Sequence, residues 1–383
     1  MKYFKELLII SVLLIFSSCK ASYLYDLVNG KNTITNTGAI ASTSTTSTST
    51  TSTQSPISAF AYVANNGNNN VSMYAIDAAT GVLTANGTIA AGTGPISVTV
   101  DPTGRFAFVA NSGGNNVSMY TINPATGVLT ANGAIAAGTG PMSVTVDPTG
   151  RFAFTANSTT NDVSMYTVNP VTGVLAANGM AIPAGTQPMS VTVDPTGRFA
   201  FVANYVSNNV SMYTINPATG VLAASGTVAA GTAPISVTVD PTGRFAFVAN
   251  GASSNVSMYT INSATGALTA NGTIAAGTTS RSVTIDPTGR FAFVANTASN
   301  DVSMYTINTS TGALTANGTI ATGASPLSVT VDSTGRFAFV ANAGSANVSM
   351  YTINSTTGVL TANGSSAAGT NPAFVTVVRS KPR

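Results

Sequence analysis

The sequence predicts an all-β fold, a seven-bladed β-propeller of four-stranded antiparallel blades, closed by a C-terminal strand that pairs into blade 1. Three observations lead there. The phrase Phe-Ala-Phe-Val-Ala-Asn, with small variations, starts at Phe60, Phe106, Phe152, Phe199, Phe245, Phe291 and Phe337, in steps of 46, 46, 47, 46, 46 and 46 residues. A fixed period of this length marks units that bury their faces against their neighbours. Each period contains four strand-like segments and no helical periodicity. The first copy lacks one of those segments, and the end of the chain supplies one spare.

Residues 95–141 show one repeat in order. Pro95-Ile96-Ser97-Val98-Thr99-Val100-Asp101 alternates apolar and polar side chains, the period of a strand. Asp101-Pro102-Thr103-Gly104-Arg105 is a tight turn, in which Pro presets φ, Asp bonds the backbone ahead and Gly takes the left-handed position. Phe106 to Asn111 is apolar on both faces and should be buried on both. Ser112 to Asn116 is a polar loop, and Val117 to Ile122 is a third strand. Asn123-Pro124-Ala125-Thr126-Gly127 repeats the turn chemistry. Val128 to Ala137 is a fourth strand, more polar and Gly-containing, as suits an outer edge. Four-stranded units arranged radially make a propeller.

The ends decide between an open stack and a ring. From Ser55 the first copy runs through Pro56-Ile57-Ser58 straight into Phe60, without a first strand. After the seventh copy, Pro372-Ala373-Phe374-Val375-Thr376-Val377 is a first strand with no blade of its own. Joined to blade 1 as its innermost strand, it removes both sheet edges at the seam. The propeller is therefore placed at 56–378, with blade 1 completed by 372–378 and a tail at 379–383.

The N-terminal segments read differently. Met1 to Lys5 is a basic n-region and Leu7 to Phe16 an apolar run of ten residues, too short to span a membrane and suited to a signal-peptide core. The run ends in Phe16-Ser17-Ser18-Cys19-Lys20. Small residues before a lone Cys resemble the bacterial lipoprotein processing site, which implies a signal peptide at 1–18 and a lipid on Cys19. Residues 19–55 form a tether, almost pure Ser/Thr from Ala41 to Ser55, that buries too little apolar surface to order itself. As a coil it spans roughly 35 Å.

Composition excludes several chemistries. Charged residues are 7% of the chain, against roughly 25% in average soluble domains. The net charge of +3 becomes +2 when Lys2, Lys5 and Glu6 leave with the leader, which is no nucleic-acid signature. Six arginines (Arg105, Arg151, Arg198, Arg244, Arg290 and Arg336) each follow an Asp by four residues, so the ring they form should be locally neutralised. There is no His and no Trp, the one Glu is Glu6, and the one Cys is Cys19. Cys- and His-based metal sites and a cysteine nucleophile are excluded from the propeller, and no metal or cofactor is expected.

Asp-Pro-Thr-Gly-Arg-Phe-Ala-Phe-Val-Ala-Asn, Val-Ser-Met-Tyr-Thr-Ile-Asn and Ala-Thr-Gly-Val-Leu resemble the repeats of the YVTN family and of the lactonase-type seven-bladed propellers. Phe60-Ala61-Tyr62-Val63-Ala64-Asn65 is the nearest local match. For the lactonase-type group the resemblance implies hydrolysis of sugar lactones such as 6-phosphogluconolactone. Water attack on a lactone calls for a general base, usually His or Glu, and donors for the developing oxyanion. Outside the leader the chain has neither residue. Six of its ten aspartates (Asp101, Asp147, Asp194, Asp240, Asp286 and Asp332) are turn residues. No catalytic residue is assigned on this basis.

The two kinds of turn share one face of the ring. The loops after Phe-Ala-Phe-Val-Ala-Asn and the Gly-Thr-Gly-Pro links share the other, and the internal variation falls there. Varied loops on a fixed frame suit binding. On that face Arg281 replaces Ile96, Met142, Met189, Ile235 and Leu327 of the other copies, at the start of an innermost strand. Asp301 begins the third strand of the same blade, within reach of a long Arg. Tyr205 and Asp162, in the varied loops of other blades, complete the ligand-binding candidates. The expectation is a monomeric, lipid-anchored protein of the bacterial envelope, at the outer membrane or cell surface. Its propeller would act as a binding or adhesion scaffold for a macromolecule or glycan, with no nucleic-acid partner. A lactonase-like hydrolase and a structural envelope component are the alternatives.

Overall fold

The computed structural model describes residues 59–379. Cys19 and the Ser/Thr tether lie outside the described residues. No described helix is long and apolar enough to cross a membrane. The repeats form seven antiparallel sheets in a ring. In blade 2 the strands run outward from the axis as Pro95–Val100, Phe106–Asn111, Asn116–Ile122 and Leu129–Ala136. Blade 1 is assembled from both ends of the chain. Pro372–Arg379 pairs antiparallel with Ala59–Asn65, followed by Asn70–Ile76 and Leu83–Ala90. The predicted closure is therefore present.

The single 47-residue step has a local cause. In blade 3 the outer strand is broken into Leu175–Ala177 and Ile182–Pro183, both paired to Asp162–Val168. The extra residue bulges out between them and leaves Met180 88% exposed. An outer strand has one partner, so the insertion disturbs one ladder and nothing behind it.

The core lies between blades rather than at one centre. On the second strand Phe60, Tyr62 and Ala64 of blade 1 face Ala107 and Val109 of blade 2, with Tyr120, Ile122 and Leu129 closing the layer. The same layer recurs around the ring. This is why the phrase is apolar on both faces: its Phe side fills the next blade and its Ala/Val side receives the previous one. Each buried Phe contributes roughly 1.5–3 kcal/mol. The Phe60 ring lies against Gly127, in the turn of blade 2 (φ 71°), where a Cβ would enter the ring. Polar bonds cross the same layer. Tyr120 donates its hydroxyl to the Ala90 carbonyl at 2.8 Å, and the Leu129 amide donates to the Met73 thioether at 3.2 Å.

The turn residues differ from expectation in one respect. The buried Asp101 does not pair with Arg105. Its Oδ1 accepts the amides of Arg105 (2.8 Å) and Phe106 (2.7 Å), and its Oδ2 accepts the amide and hydroxyl of Thr103. The Arg105 guanidinium lies over the Phe106 ring, 4.8 Å from its centroid, and donates to the Pro170 carbonyl of the next blade. Six of the seven interfaces carry such an Arg strap. Ala59 stands at the corresponding position in blade 1, where two chain ends meet instead of a turn.

Gly266 packs against Phe199 as Gly127 packs against Phe60, whereas Gly179, at a similar positive φ in the blade 3 bulge, has open space around it. Gly266→Ala is expected to lower stability by about 2–5 kcal/mol, combining a left-handed backbone cost of roughly 1–2 with overpacking of roughly 1–3. Gly179→Ala should lose only about 1–2 kcal/mol. Urea unfolding of both variants measures the difference, and equal losses would remove the interlock as its cause.

Burial raises the pKa of eight tyrosines above the usual value, opposed at several of them by hydroxyl neighbours. The folded state thus holds these protons more tightly than the unfolded chain. The associated stability is complete below pH ~10 and is lost as pH rises through the folded values. With no His to titrate near neutrality, the urea midpoint should stay level between pH 7 and about 9, then fall steeply. A level midpoint up to pH ~11.5 would contradict the burial of these phenols.

Candidate functional site at the channel mouth

The seven inner strands converge on the axis and enclose a channel. The second residue of each strand rings its mouth: Ile96, Met142, Met189, Ile235, Arg281, Leu327 and Ala373. The cavity at the mouth is small, about 70 Å³, and open to solvent, below the roughly 300–1,000 Å³ of clefts that bury a drug-sized ligand. One residue deeper lie serines such as Ser97 and Ser143, with Phe374 in their place in blade 1. Beyond them a second cavity is lined by the hydroxyls of Thr99, Thr145 and their counterparts. The serines are structural as well: the Ser97 hydroxyl accepts the Val144 amide of the next blade at 3.3 Å, and the pattern continues to Ser328 and Val375.

The mouth opens on the varied-loop face. There the loops pair with the links between blades, as in Ser112 N–H to Gly94 carbonyl (2.8 Å) and Gly114 N–H to Thr93 carbonyl (2.9 Å). Arg281 is half-buried in the mouth and, among the described residues, makes no ion pair or hydrogen bond. Burial pushes its pKa down, and the Tyr205 phenol pushes it back up. A guanidinium stays charged through such a shift, so the mouth holds an uncompensated cation. Tyr205, 38% exposed, belongs to a loop of blade 4, two blades away, and its amide donates to the Gln187 carbonyl at 2.9 Å.

Tyr205 is near enough to Arg281 for its charge to be felt there, though it does not line the mouth, and the two aspartates lie elsewhere. Asp301 accepts from the Asn296 amide (2.7 Å) and the Ser299 hydroxyl (3.1 Å). Asp162 accepts from Asn157 (2.7 Å) and the Thr160 hydroxyl (3.0 Å). Asn116 performs the same task in blade 2, accepting from Asn111 at 2.7 Å. Both aspartates thus replace a loop-closing asparagine. Among the described residues no three His, Cys, Asp or Glu side chains gather as a metal site requires.

Two features went unread in the sequence. Thr279 has φ 60°, in a column that is left-handed in every blade and holds Gly94, Gly140, Gln187, Ala233, Ser325 and Asn371 elsewhere. Ser280 follows, buried, in the place of the proline that starts the other six inner strands, and donates to the Gly277 carbonyl at 3.2 Å. Blade 6 therefore departs from the repeat at two consecutive residues, Ser280 and Arg281. Phe374 is the second feature, and aligning the inner strands column by column exposes it as the one exception to Ser.

The comparisons bear on what such a mouth does. The family described as Lactonase, 7-bladed beta-propeller, matches residues 27–146, 131–239, 190–283, 226–331 and 278–377. No curated protein matches the chain. Among solved structures, a candidate 6-phosphogluconolactonase from Bacteroides uniformis is 20% identical, with 84% of this chain and 99% of that chain covered and a TM-score of 0.77. The periplasmic gluconolactonase of Pseudomonas aeruginosa is 20% identical, over 85% and 100% of the two chains, at 0.76. Kuenenia stuttgartiensis hydrazine synthase is 18% identical, over 77% and 95%, at 0.60. At these identities the likeness is one of fold. The family match overturns the expectation of an adhesion scaffold. That expectation gave most weight to the missing His and Glu and to the sameness of the blades. It gave too little to the axis, where Arg281 stands among the apolar residues of the other six blades.

Proposed function

We propose that this chain, which belongs to the lactonase family of seven-bladed β-propellers, opens the ester ring of a sugar lactone at its channel mouth. The observation that carries this reading is the unpaired Arg281 guanidinium lining the open axial mouth in a chain of that family. The names of its structural neighbours, a gluconolactonase and a candidate 6-phosphogluconolactonase, point to the same substrate class.

The chemistry asks little of the protein. Water adds to the lactone carbonyl, the carbonyl oxygen takes on negative charge, the ring C–O bond breaks, and the ring oxygen leaves as a hydroxyl. The product is the open hydroxy acid. Arg281 supplies N–H donors for the developing oxyanion in a partly desolvated mouth, where such donors act most strongly. The role we assign to the Tyr205 hydroxyl, on the strength of its electrostatic coupling to Arg281, is to orient the lactone or to donate to the ring oxygen. The attacking water gives its proton to solvent through the open mouth.

Purified protein should hydrolyse D-glucono-1,5-lactone or its 6-phosphate with saturation kinetics, followed as acid release at constant pH. Arg281→Leu, which restores a residue used by the repeat at Leu327, should fold normally and lose roughly 10²–10³-fold in kcat/KM. A well-folded protein that leaves both lactones at their spontaneous rates would remove the proposal.

The place of action we propose is the bacterial envelope, supported by the apolar leader and the lone Cys19 before a Ser/Thr tether. Cells expressing the full chain should incorporate labelled fatty acid into the protein, and Cys19→Ala should abolish it. Equal labelling of the two would sink the lipid anchor.

A further inference from the structure

Phe374 is the one aromatic side chain in the ring of inner-strand positions otherwise held by serine. With Ser97, Ser143, Ser190, Ser236 and Ser282 it borders both the mouth cavity and the deeper hydroxyl-lined cavity, and it is the one large apolar side chain in that boundary ring. One side of it packs on the layer between blades 1 and 2, and it remains partly exposed. The residue before it, Ala373, is the smallest in the ring around the mouth, where other blades place Ile, Met, Leu or Arg. The small neighbour leaves room above Phe374 on the side of the mouth. Blade 1 also gives up a bond to place it there: the serine hydroxyls elsewhere accept the amide of the next blade's valine, and opposite Val98 stands a ring with no acceptor.

We propose that Phe374 is the floor on which the substrate's ring lies. A sugar lactone has C–H faces and a polar rim. Its C–H face would rest on Phe374 while its carbonyl reaches Arg281, whose blade is separated from blade 1 only by blade 7. An apolar surface with a few convergent polar groups is how small-molecule sites fix orientation, and the flat ring provides that surface. Phe374 is then a binding and specificity residue that selects cyclic, carbohydrate-like ligands over other carbonyl compounds. This inference rests on the lactone reading of the same mouth.

The test uses binding, so that it does not depend on turnover. D-glucono-1,5-lactam keeps the ring shape and carbonyl of the lactone and is not readily hydrolysed. Its affinity is measured by calorimetry for the wild-type protein, Phe374→Ser and Phe374→Tyr. Serine is the residue of the other six strands, so Phe374→Ser should unfold at the wild-type temperature or above. The expected result is at least a tenfold loss of lactam affinity in Phe374→Ser and no more than a threefold change in Phe374→Tyr. No lactam binding by the wild type, unchanged affinity in Phe374→Ser, or a Phe374→Tyr as weak as Phe374→Ser would each overturn the proposal. A protein that binds lactam through Phe374 but opens no lactone would end the hydrolase reading and leave this one standing. Lactone turnover with Phe374→Ser indistinguishable from wild type in lactam binding would do the reverse.

Discussion

Everything in this propeller depends on one interlock, the aromatic face of each blade seated in the turn and the small-residue face of the next. Phe60 against Gly127, Phe106 against Gly173 and their five counterparts are the same contact, made where a side chain on the glycine would enter the ring. Neither face of a blade is buried by the blade itself, so an isolated unit has no core and the array gains its stability from neighbours. The pairing of Pro372–Arg379 with Ala59–Asn65 matters for the same reason. An open array would leave one aromatic face and one receiving face in water as well as two sheet edges.

The interlock also determines where individuality is possible. It occupies both faces of the second and third strands and the turns of one rim. The axial columns stand outside it. The column of Ile96 holds Ile, Met, Leu, Arg and Ala without altering the blades, while the column of Phe108 stays within Phe and Tyr. A ring of nearly identical units can thus carry one asymmetric cavity lining where seven strands meet. Sameness of the blades argues against seven sites, not against one.

Much of this was legible in the sequence, because the interlock is repetitive and repetition is what a single sequence displays well. Period, strand order, ring closure and the two rims all followed from the copies and their ends. Arg281 was legible as a departure from its column. Tyr205 was legible as an aromatic in a varied loop, but its electrostatic coupling to Arg281 from two blades away was not, because it is set by the curvature of the ring and not by spacing along the chain. Asp301 and Asp162 were given weight for their charge, yet each stands in for an asparagine of nearly the same shape and accepts the same bond. Phe374 was hidden by its role in closing the ring, since the strand that carries it was read for its count and not for its column. The pairing of Asp101 with Arg105, plausible from four-residue spacing, gave way to stronger claims on each: backbone amides for the carboxylate, and the next blade's carbonyl and a Phe face for the guanidinium.

The departures at the mouth differ in kind from those elsewhere. Neutral change should gather where it costs least, and the Met180 insertion in an exposed outer strand and the polar swaps in the loops fit that description. Ser280, Arg281 and Phe374 do not. Ser280 stands where the other six inner strands start with proline. Arg281 places a desolvated charge without a counter-ion. Phe374 forgoes a serine–amide bond of about 1 kcal/mol that its six counterparts keep. Each unfavourable choice falls in one of two blades and flanks or faces the same cavity. Local rules broken together around a single space, in a chain that otherwise follows its columns copy after copy, are the pattern expected where stability is exchanged for function, which is why the proposed site is sought there.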